Sequence, residues 1–185
     1  MPTRRARDPA LLDKVDSLRR EDYVGEVWRV GREGREPTLG YPSNARWDPG
    51  TFDVLYTSEA RDGALSEVFF HLSRQPVFPS KIRSVVCRLT VSVSNMLWLP
   101  DVEHVGALGM DTSRYGALDY TASREIGDAA FFLGFDGMIV PSARAPCLNV
   151  VLFTERLADG AIELRSSEPV DWNEWRRSRG PREPK

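Results

Sequence analysis

Apolar residues recur with helical spacing in three segments of the chain. Positions three and four apart lie on one face of an α-helix, so this spacing predicts helices that pack one side against a core. The predicted helices cover residues 9–20, 60–73 and 122–133. Thr121 has a side chain suited to cap the start of the third helix, and Gly134 is suited to end it.

Short apolar runs outside these segments predict β-strands. They are rich in β-branched and aromatic residues and are bounded by turn-forming residues. The predicted strands cover residues 26–30, 53–57, 82–93, 137–141, 148–154 and 161–165. Because helices and strands do not alternate regularly, a doubly wound parallel sheet is disfavoured. The pattern predicts an α+β domain with mostly antiparallel sheets.

The segments between these elements are irregular. Residues 31–50 are rich in Gly, Pro, Asn and Asp, which predicts a long loop, and loops of this length often carry function. Residues 94–120 are mixed and include a predicted turn near Trp98 and Pro100 and a short helix over residues 101–107.

The predicted organisation is a single domain over residues 1–165, followed by a charged C-terminal tail over residues 166–185. Two tryptophans, Trp172 and Trp175, stand out in this tail. They either dock back on the domain or present a patch to a partner.

Composition narrows the functional classes. Apolar residues make up 41% of the 185 residues, and no apolar run is long enough to span a membrane. The charged N-terminus is not followed by an apolar stretch, so no secretory signal is expected and the predicted location is the cytoplasm. A net charge of −2 gives no general attraction to nucleic acid.

The two cysteines, Cys87 and Cys147, have no metal-ligand spacing with each other or with His71 and His104. We interpret both as reduced thiols of a cytosolic protein and predict no metal site. Cys87 lies in an apolar strand pattern, where burial is the expected role.

Three polar residues lie at the edges of apolar elements in the first half of the chain: Arg29, Tyr56 and Glu67. A guanidinium can grip a diphosphate, a phenol ring can pack on a base or on nicotinamide, and a carboxylate can face a developing positive charge. These groups suit the binding of a dinucleotide and the cleavage of its glycosidic bond. Each also has an ordinary structural interpretation, as a solvent-facing arginine, a rim tyrosine or a solvated helix glutamate.

Arg46, Ser142 and Asn149 are further candidates. Arg46 lies in the long loop and is suited to phosphate, Ser142 follows a buried strand, and Asn149 opens the next strand, where it can bond a ligand or a turn. No GxGxxG string, Walker lysine motif or GxSxG elbow is present. A bound dinucleotide is therefore expected to be a substrate rather than a hydride carrier.

The order of these residues carries more information than any one of them. The polar residues of the first half are followed by the strings GFDGMIVPSAR over residues 134–144 and NVVLF over residues 149–153. Over residues 24–156 this arrangement resembles the RES domain family, named for its Arg, Glu and Ser. One string departs from the family pattern, which commonly reads Gly-Gly-Arg-aromatic-Asn-Pro, because residues 44–49 here read Asn-Ala-Arg-Trp-Asp-Pro.

The resemblance implies a fold like that of ADP-ribosyltransferase toxins, with two small sheets forming a cleft and helices around them. Family members are toxins of bacterial toxin–antitoxin pairs that destroy NAD+. The implied catalytic residues are Arg29, Tyr56 and Glu67, and the implied substrate-binding residues are Arg46, Ser142 and Asn149. The implied reaction is cleavage of the nicotinamide–ribose bond, with NAD+ as substrate and no separate cofactor.

The acceptor of the ADP-ribosyl group is inorganic phosphate as co-substrate, water or a protein side chain, and the sequence does not choose among them. The absence of an obvious target-recognition insertion favours phosphate or water. The resemblance also implies an Xre-like antitoxin as partner, and contact with DNA only through that antitoxin. Assembly of the chain into a homo-oligomer is a further possibility. A protein ADP-ribosyltransferase and a non-catalytic binding module are the alternatives. An RNA-cleaving toxin is disfavoured, because both histidines, His71 and His104, are expected outside the constellation and no basic stripe is visible.

Overall fold

The computed structural model of the chain describes residues 6–79 and 81–179. Its α-helices in these ranges are α1 (Pro9–Asp16), α2 (Arg61–Ser73), α3 (Val102–Ala107), α4 (Thr121–Phe132) and α5 (Trp172–Ser178). Its β-strands are β1 (Arg20–Arg32), β2 (Val54–Ser58), β3 (Ser84–Trp98), β4 (Gly137–Pro141), β5 (Leu148–Phe153) and β6 (Ile162–Pro169). Short 3-10 helices lie at Thr112–Arg114 and Thr154–Arg156.

The six strands form one mixed sheet in the order β1-β2-β5-β4-β3-β6, and an additional pairing of β1 with β3 closes five of them into a ring. Among the strands of the described residues, the β3–β4 pairing alone is parallel. The α+β class and the antiparallel majority are therefore as predicted. The two separate sheets are not observed, because β3 pairs with β1 and β6 along most of its length and with β4 through Met96–Trp98.

Of the three apolar clusters among the described residues, a smaller one contains Leu65, Val86 and Trp172, and the other two lie on opposite faces of this sheet. One collects alternate residues of the ring strands, for example Val27, Leu89 and Val150, which are fully buried. The other packs the opposite faces of β4 and β5 against α1 and α4, with Ile126 and Phe153 among its buried members. Alternation along a strand sends successive side chains to opposite faces, so a single run such as β5 serves both clusters.

The strands β1 and β3 are longer than the sequence pattern predicted. They pair with each other from Arg20↔Leu97 to Arg32↔Ser84, so β1 takes up the end of the predicted first helix and β3 runs through the predicted turn at Trp98. The predicted cap at Thr121 is also wrong. Asp119 accepts hydrogen bonds from the backbone N–H and hydroxyl of Thr121 instead.

The C-terminal segment packs on the body of the domain. β6 extends past the predicted boundary at residue 165, and α5 follows it. The indole N–H of Trp172 donates to the Ser84 hydroxyl at 3.2 Å, and the ring of Trp175 lies 5.2 Å from that of Phe69. Of the two predicted roles for the tryptophans, docking is confirmed. None of the helices that the structure describes has the length and apolar character of a membrane span.

The long loop between β1 and β2 is organised by a buried carboxylate. The side chain of Asp48 is fully buried and has no cationic partner within ion-pair distance among the described residues. It accepts hydrogen bonds from the backbone N–H groups of Ser43, Asn44, Ala45 and Gly50 and from the hydroxyls of Ser43 and Tyr56. Burial acts to raise the pKa of Asp48, but these hydrogen bonds outweigh it and hold the pKa below its usual value.

The loop is also held from outside by α4. Arg124 donates to the carbonyl oxygens of Asn44 and Ala45. Asn44 has a φ of 52°, a left-handed conformation that asparagine tolerates better than other residues with a side chain. Gly127 lets the helix approach the loop closely, since a Cβ atom there would lie 1.9 Å from the carbonyl oxygen of Trp47.

Gly127→Ala is expected to destabilise the protein, although alanine is the better helix former, because the clash is with backbone. We expect a loss of about 2 kcal/mol in the free energy of unfolding, measured by urea denaturation. Gly31→Ala is the matched control, since a Cβ atom at Gly31 meets nothing within 4 Å. Equal unfolding midpoints for the two variants would contradict the close approach.

Asp48→Asn is expected to lower the free energy of unfolding by about 3 kcal/mol at pH 7, because an amide replaces an acceptor with a donor that faces N–H groups. The folded pKa of Asp48 lies below its usual value of 3.8, so the carboxylate stabilises the fold above that pH. The difference between wild type and variant should then shrink as pH falls through the lowered pKa. Urea denaturation across this range tests it, and a difference that does not depend on pH would contradict it.

Candidate active site

A cavity of about 350 Å³ opens between the long loop, the ends of β1 and β2, and the first turns of α2. Its walls include five of the six site residues predicted from the sequence: Arg29, Arg46, Tyr56, Glu67 and Asn149. The apolar part of the wall is supplied by Trp28, Trp47, Val54, Ala64 and Val68. Glu67 is the only carboxylate among the described residues that line the cavity.

Strand register explains why residues distant in sequence meet here. One row of paired residues crosses four strands in the order Trp28, Ser58, Asn149 and Val140. Arg29 follows the first member of this row, and Ser142 comes just after β4, which contains the last member. The row therefore brings both ends of the predicted constellation to one edge of the sheet.

Glu67 is held by two of the predicted residues. The Ser142 hydroxyl donates to Glu67 Oε1 at 2.6 Å, and the Asn149 side-chain amide donates to the same oxygen at 3.1 Å. The Ser142 hydroxyl accepts in turn from the backbone N–H groups of Arg144 and Ala145. Ser142 thus does not line the cavity itself, but it holds Glu67, which does.

Asn149 leaves one atom free for a ligand. Its Oδ1 is buried and has no hydrogen-bond partner in the part of the chain that the structure describes. A buried acceptor without a partner is costly, so such atoms call for an explanation. Because Asn149 lines the cavity, a hydroxyl or amide N–H of a bound molecule would satisfy this oxygen.

Tyr56 connects the cavity wall to the loop. Its hydroxyl donates to Asp48 Oδ2 at 2.9 Å and accepts from the backbone N–H of Trp47 at 2.9 Å. Burial, together with the charge of Asp48, raises the pKa of Tyr56 well above its usual value. The hydroxyl is therefore used in positioning the loop, which leaves the ring as the part of Tyr56 that can face a ligand.

Arg29 is half-buried rather than solvent-facing, and burial lowers its pKa. Its Nη1 donates to the carbonyl oxygens of Pro37 and Leu39 at 2.6 and 2.9 Å, which fixes the start of the loop against β1. The same side chain lines both the cavity and a neighbouring pocket that contains Arg32 and Cys87. Cys87 is buried, as predicted.

Arg46 lines the cavity, whereas Asp48 does not. Its Nη1 donates to the Tyr115 carbonyl at 2.7 Å and its Nη2 to the Ala117 carbonyl at 3.4 Å. The guanidinium lies 4.7 Å from the ring centroid of Tyr120. Arg46 is therefore ordered by groups that leave its positive charge uncompensated.

Two residues at the site were missed by the sequence interpretation. His71 lies one turn after Glu67 on α2 and lines the cavity. Partial desolvation of the ring lowers the pKa of His71, although Glu67 acts in the opposite direction. Arg144 is linked to Glu67 through Ser142, and its only sequence signal is its place in the PSAR string.

The described residues contain no group of three or more His, Cys, Asp or Glu side chains arranged to hold a metal ion. Both cysteines are free thiols, and Cys147 lies 3.3 Å from the Ser58 hydroxyl. The chemistry of this site thus resides in one carboxylate, two arginines, an aromatic ring and amide and hydroxyl groups.

Two mycobacterial proteins named as NAD(+) phosphorylases are similar in sequence to this chain. A Mycobacterium tuberculosis protein named probable NAD(+) phosphorylase Rv3189 is 30% identical over 165 residues, which cover 85% of this chain and 77% of the relative. NAD(+) phosphorylase MbcT of Mycobacterium bovis is 24% identical over 169 residues, which cover 88% of this chain and 91% of the relative.

A solved structure shows the same fold. The crystal structure of the M. tuberculosis MbcT–MbcA toxin–antitoxin complex contains a chain that matches this one with a TM-score of 0.83 at 20% identity, covering 95% of this chain and 100% of that one. The sequence model of the RES domain matches residues 26–173. The chain therefore belongs to the RES domain family.

Proposed function

We propose that this chain is the toxin of a bacterial toxin–antitoxin pair and that it degrades NAD+ by cleaving the bond between nicotinamide and ribose. The observation that carries the proposal is a single carboxylate, Glu67, at a cavity whose walls include two arginines, Arg29 and Arg46. One negative and two positive groups match the charges of NAD+, which carries a pyridinium at one end and a diphosphate in the middle. The names of the two relatives support the same reaction.

In this proposal Glu67 is the central catalytic residue. Its carboxylate holds the ribose hydroxyls and faces the positive charge that develops on the ring as the glycosidic bond breaks. Ser142 and Asn149 keep the carboxylate in place through their hydrogen bonds to Oε1. The unpaired Oδ1 of Asn149 accepts from a ribose hydroxyl or from the nicotinamide carboxamide.

The remaining residues bind and orient the dinucleotide. Arg29 and Arg46 hold the diphosphate through the N–H groups that their contacts with loop carbonyls leave free. The ring of Tyr56 packs on nicotinamide or ribose, while its hydroxyl stays with Asp48. Fixing the reactant in one conformation lowers the barrier before any charge is stabilised.

The chemistry needs little more than positioning and charge. The electrons of the C1′–N bond move to the pyridinium nitrogen, so nicotinamide leaves as a neutral molecule and requires no acid. An oxygen of inorganic phosphate or water then forms a bond to the anomeric carbon. The names of the two relatives favour phosphate. NAD+ is the substrate in this scheme, with no separate cofactor.

The wider setting follows from the same proposal. The fold would be of the ADP-ribosyltransferase type, with the cavity as its substrate cleft. The partner would be an Xre-like antitoxin that covers the cleft and binds DNA, in agreement with a structural relative solved as a toxin–antitoxin complex. The site of action would be the cytoplasm, where NAD+ is available.

Incubation of the purified chain with NAD+ tests the reaction. Phosphorus NMR should show loss of NAD+ that depends on inorganic phosphate and yields a sugar phosphate. Glu67→Gln should slow this loss about 100- to 1,000-fold, because the amide cannot stabilise the developing positive charge. Glu163→Gln, the same chemical change on β6, should leave the rate unchanged.

The other outcomes identify the alternatives. Release of ADP-ribose without phosphate would make the chain a glycohydrolase, and label transfer from NAD+ to protein would make it an ADP-ribosyltransferase. Tight binding of NAD+ with no product under any condition would refute catalysis and leave a binding module.

Expression in a bacterial host tests the toxin role. Induction of the wild-type chain should lower cellular NAD+ and arrest growth, whereas Glu67→Gln should permit growth at the same protein level. Mass-spectrometric measurement of NAD+ separates depletion from general toxicity. Growth arrest with unchanged NAD+, or equal arrest by both chains, would count against the proposal.

A further inference from the structure

Two arginines next to Glu67 are anchored to the same short segment of backbone. Arg46 donates to the carbonyls of Tyr115 and Ala117, and Arg144 Nη2 donates to the intervening carbonyl of Gly116 at 2.8 Å. The two guanidinium groups are therefore anchored by three consecutive carbonyl groups. Burial lowers the pKa of Arg144, the charge of Glu67 acts to raise it, and the charge of Arg46 acts to lower it.

Neither guanidinium has a carboxylate partner within ion-pair distance among the described residues. Arg144 stacks on the ring of Phe70 at 3.4 Å, and Arg46 lies over Tyr115 and Tyr120. The Nε atom of Arg144 is buried and has no hydrogen-bond partner among the described residues. Two neighbouring guanidinium groups with an unused donor are suited to bind an anion such as phosphate.

Arg144 also lines a second groove, on the side of α2 that faces α5. This groove encloses about 560 Å³ and contains four arginines, Arg74, Arg144, Arg176 and Arg179, with no carboxylate among its described lining residues. Arg179 is paired with Asp62 at 3.2 Å, which leaves the other three to give the groove its positive charge. A concave surface of one charge sign raises the local concentration of counter-ions. Arg144 thus stands between a basic groove and the residues that hold Glu67.

We propose that Arg144 forms the subsite for the acceptor phosphate, next to the Arg46 that holds the diphosphate of NAD+, and that inorganic phosphate reaches this subsite through the basic groove. The inference rests on the proposed function, because it assigns the second substrate of that reaction. One phosphate oxygen forms the bond to C1′ as the C1′–N bond breaks, and the bonding electrons leave with neutral nicotinamide. Any proton remaining on the phosphate passes to solvent.

A phosphate group can come from two sources here, namely free phosphate or the diphosphate of NAD+. The two are distinguished by steady-state kinetics of NAD+ loss with each substrate varied in turn. Arg144→Gln should raise the KM for phosphate roughly tenfold or more, as expected for loss of a charge-assisted contact, and change the KM for NAD+ by less than about twofold. Arg144→Lys, which keeps the charge but not the fork, should recover part of the loss.

A binding measurement without turnover gives an independent readout. In the Glu67→Gln background, isothermal titration with inorganic phosphate should show an affinity that falls roughly tenfold or more when Arg144→Gln is added. Arg83→Gln is the matched control in both experiments, because Arg83 is exposed and pairs only with Glu33 among the described residues. Thermal unfolding of each variant, together with Arg144→Lys, separates loss of the site from loss of the fold.

Each remaining result is decisive. A raised KM for NAD+ with an unchanged KM for phosphate would assign Arg144 to the dinucleotide and overturn the proposal, as would equal phosphate affinity with and without Arg144. Failure of the wild-type chain to consume NAD+ would refute the proposed function and the acceptor role with it. Phosphate binding that depends on Arg144 would then still establish the anion site.

Discussion

The buried carboxylate of Asp48 is the interaction on which one whole wall of the cavity depends. A charge removed from water without a cation is tolerated only when hydrogen bonds replace its hydration, and here the loop backbone and the Tyr56 hydroxyl supply them. The carboxylate thereby fixes the path of the chain between Ser43 and Gly50. That path sets Trp47 into the core and directs Arg46 toward the cavity, so a buried ion that does not line the cavity determines where a cavity-lining charge lies.

The opposite wall depends on Glu67 in a comparable way. Its Oε1 atom accepts hydrogen bonds from the residue after β4 and from the second residue of β5, and so joins α2 to two elements that are far from it in sequence. Gly63 permits this arrangement, because a Cβ atom there would lie 2.4 Å from both the Cys147 sulfur and the Ser58 hydroxyl oxygen. The carboxylate that faces the cavity is thus also a structural junction, and its geometry is fixed before any ligand arrives. Such preorganisation is what electrostatic catalysis requires.

Local signals in the sequence predicted the parts of the fold that local physics decides. α2, β2, β4 and β5 carry their own apolar periodicity, and each lies within a residue or two of its predicted bounds. The ends of β1 and β3 were not predictable in this way, because their extra length is stabilised by pairing with each other rather than by their own residues. Arg144 was missed for the same reason, because its contact with the Gly116 carbonyl joins residues that are distant in sequence. Arg29, Arg46 and Glu67 were found from their order along the chain.

The departure of this loop from the common family string has a physical consequence for the charge in the cavity. Asn44 replaces a glycine and still adopts a φ of 52°, so the turn survives without glycine. Asp48 replaces an asparagine and brings a full negative charge, which the loop N–H groups bind, and Asp48 itself does not line the cavity. Glu67 consequently remains the only carboxylate among the described residues of the cavity wall. In the proposed reaction a dinucleotide would meet one negative and two positive groups there, and that asymmetry would set which of its ends reaches Glu67.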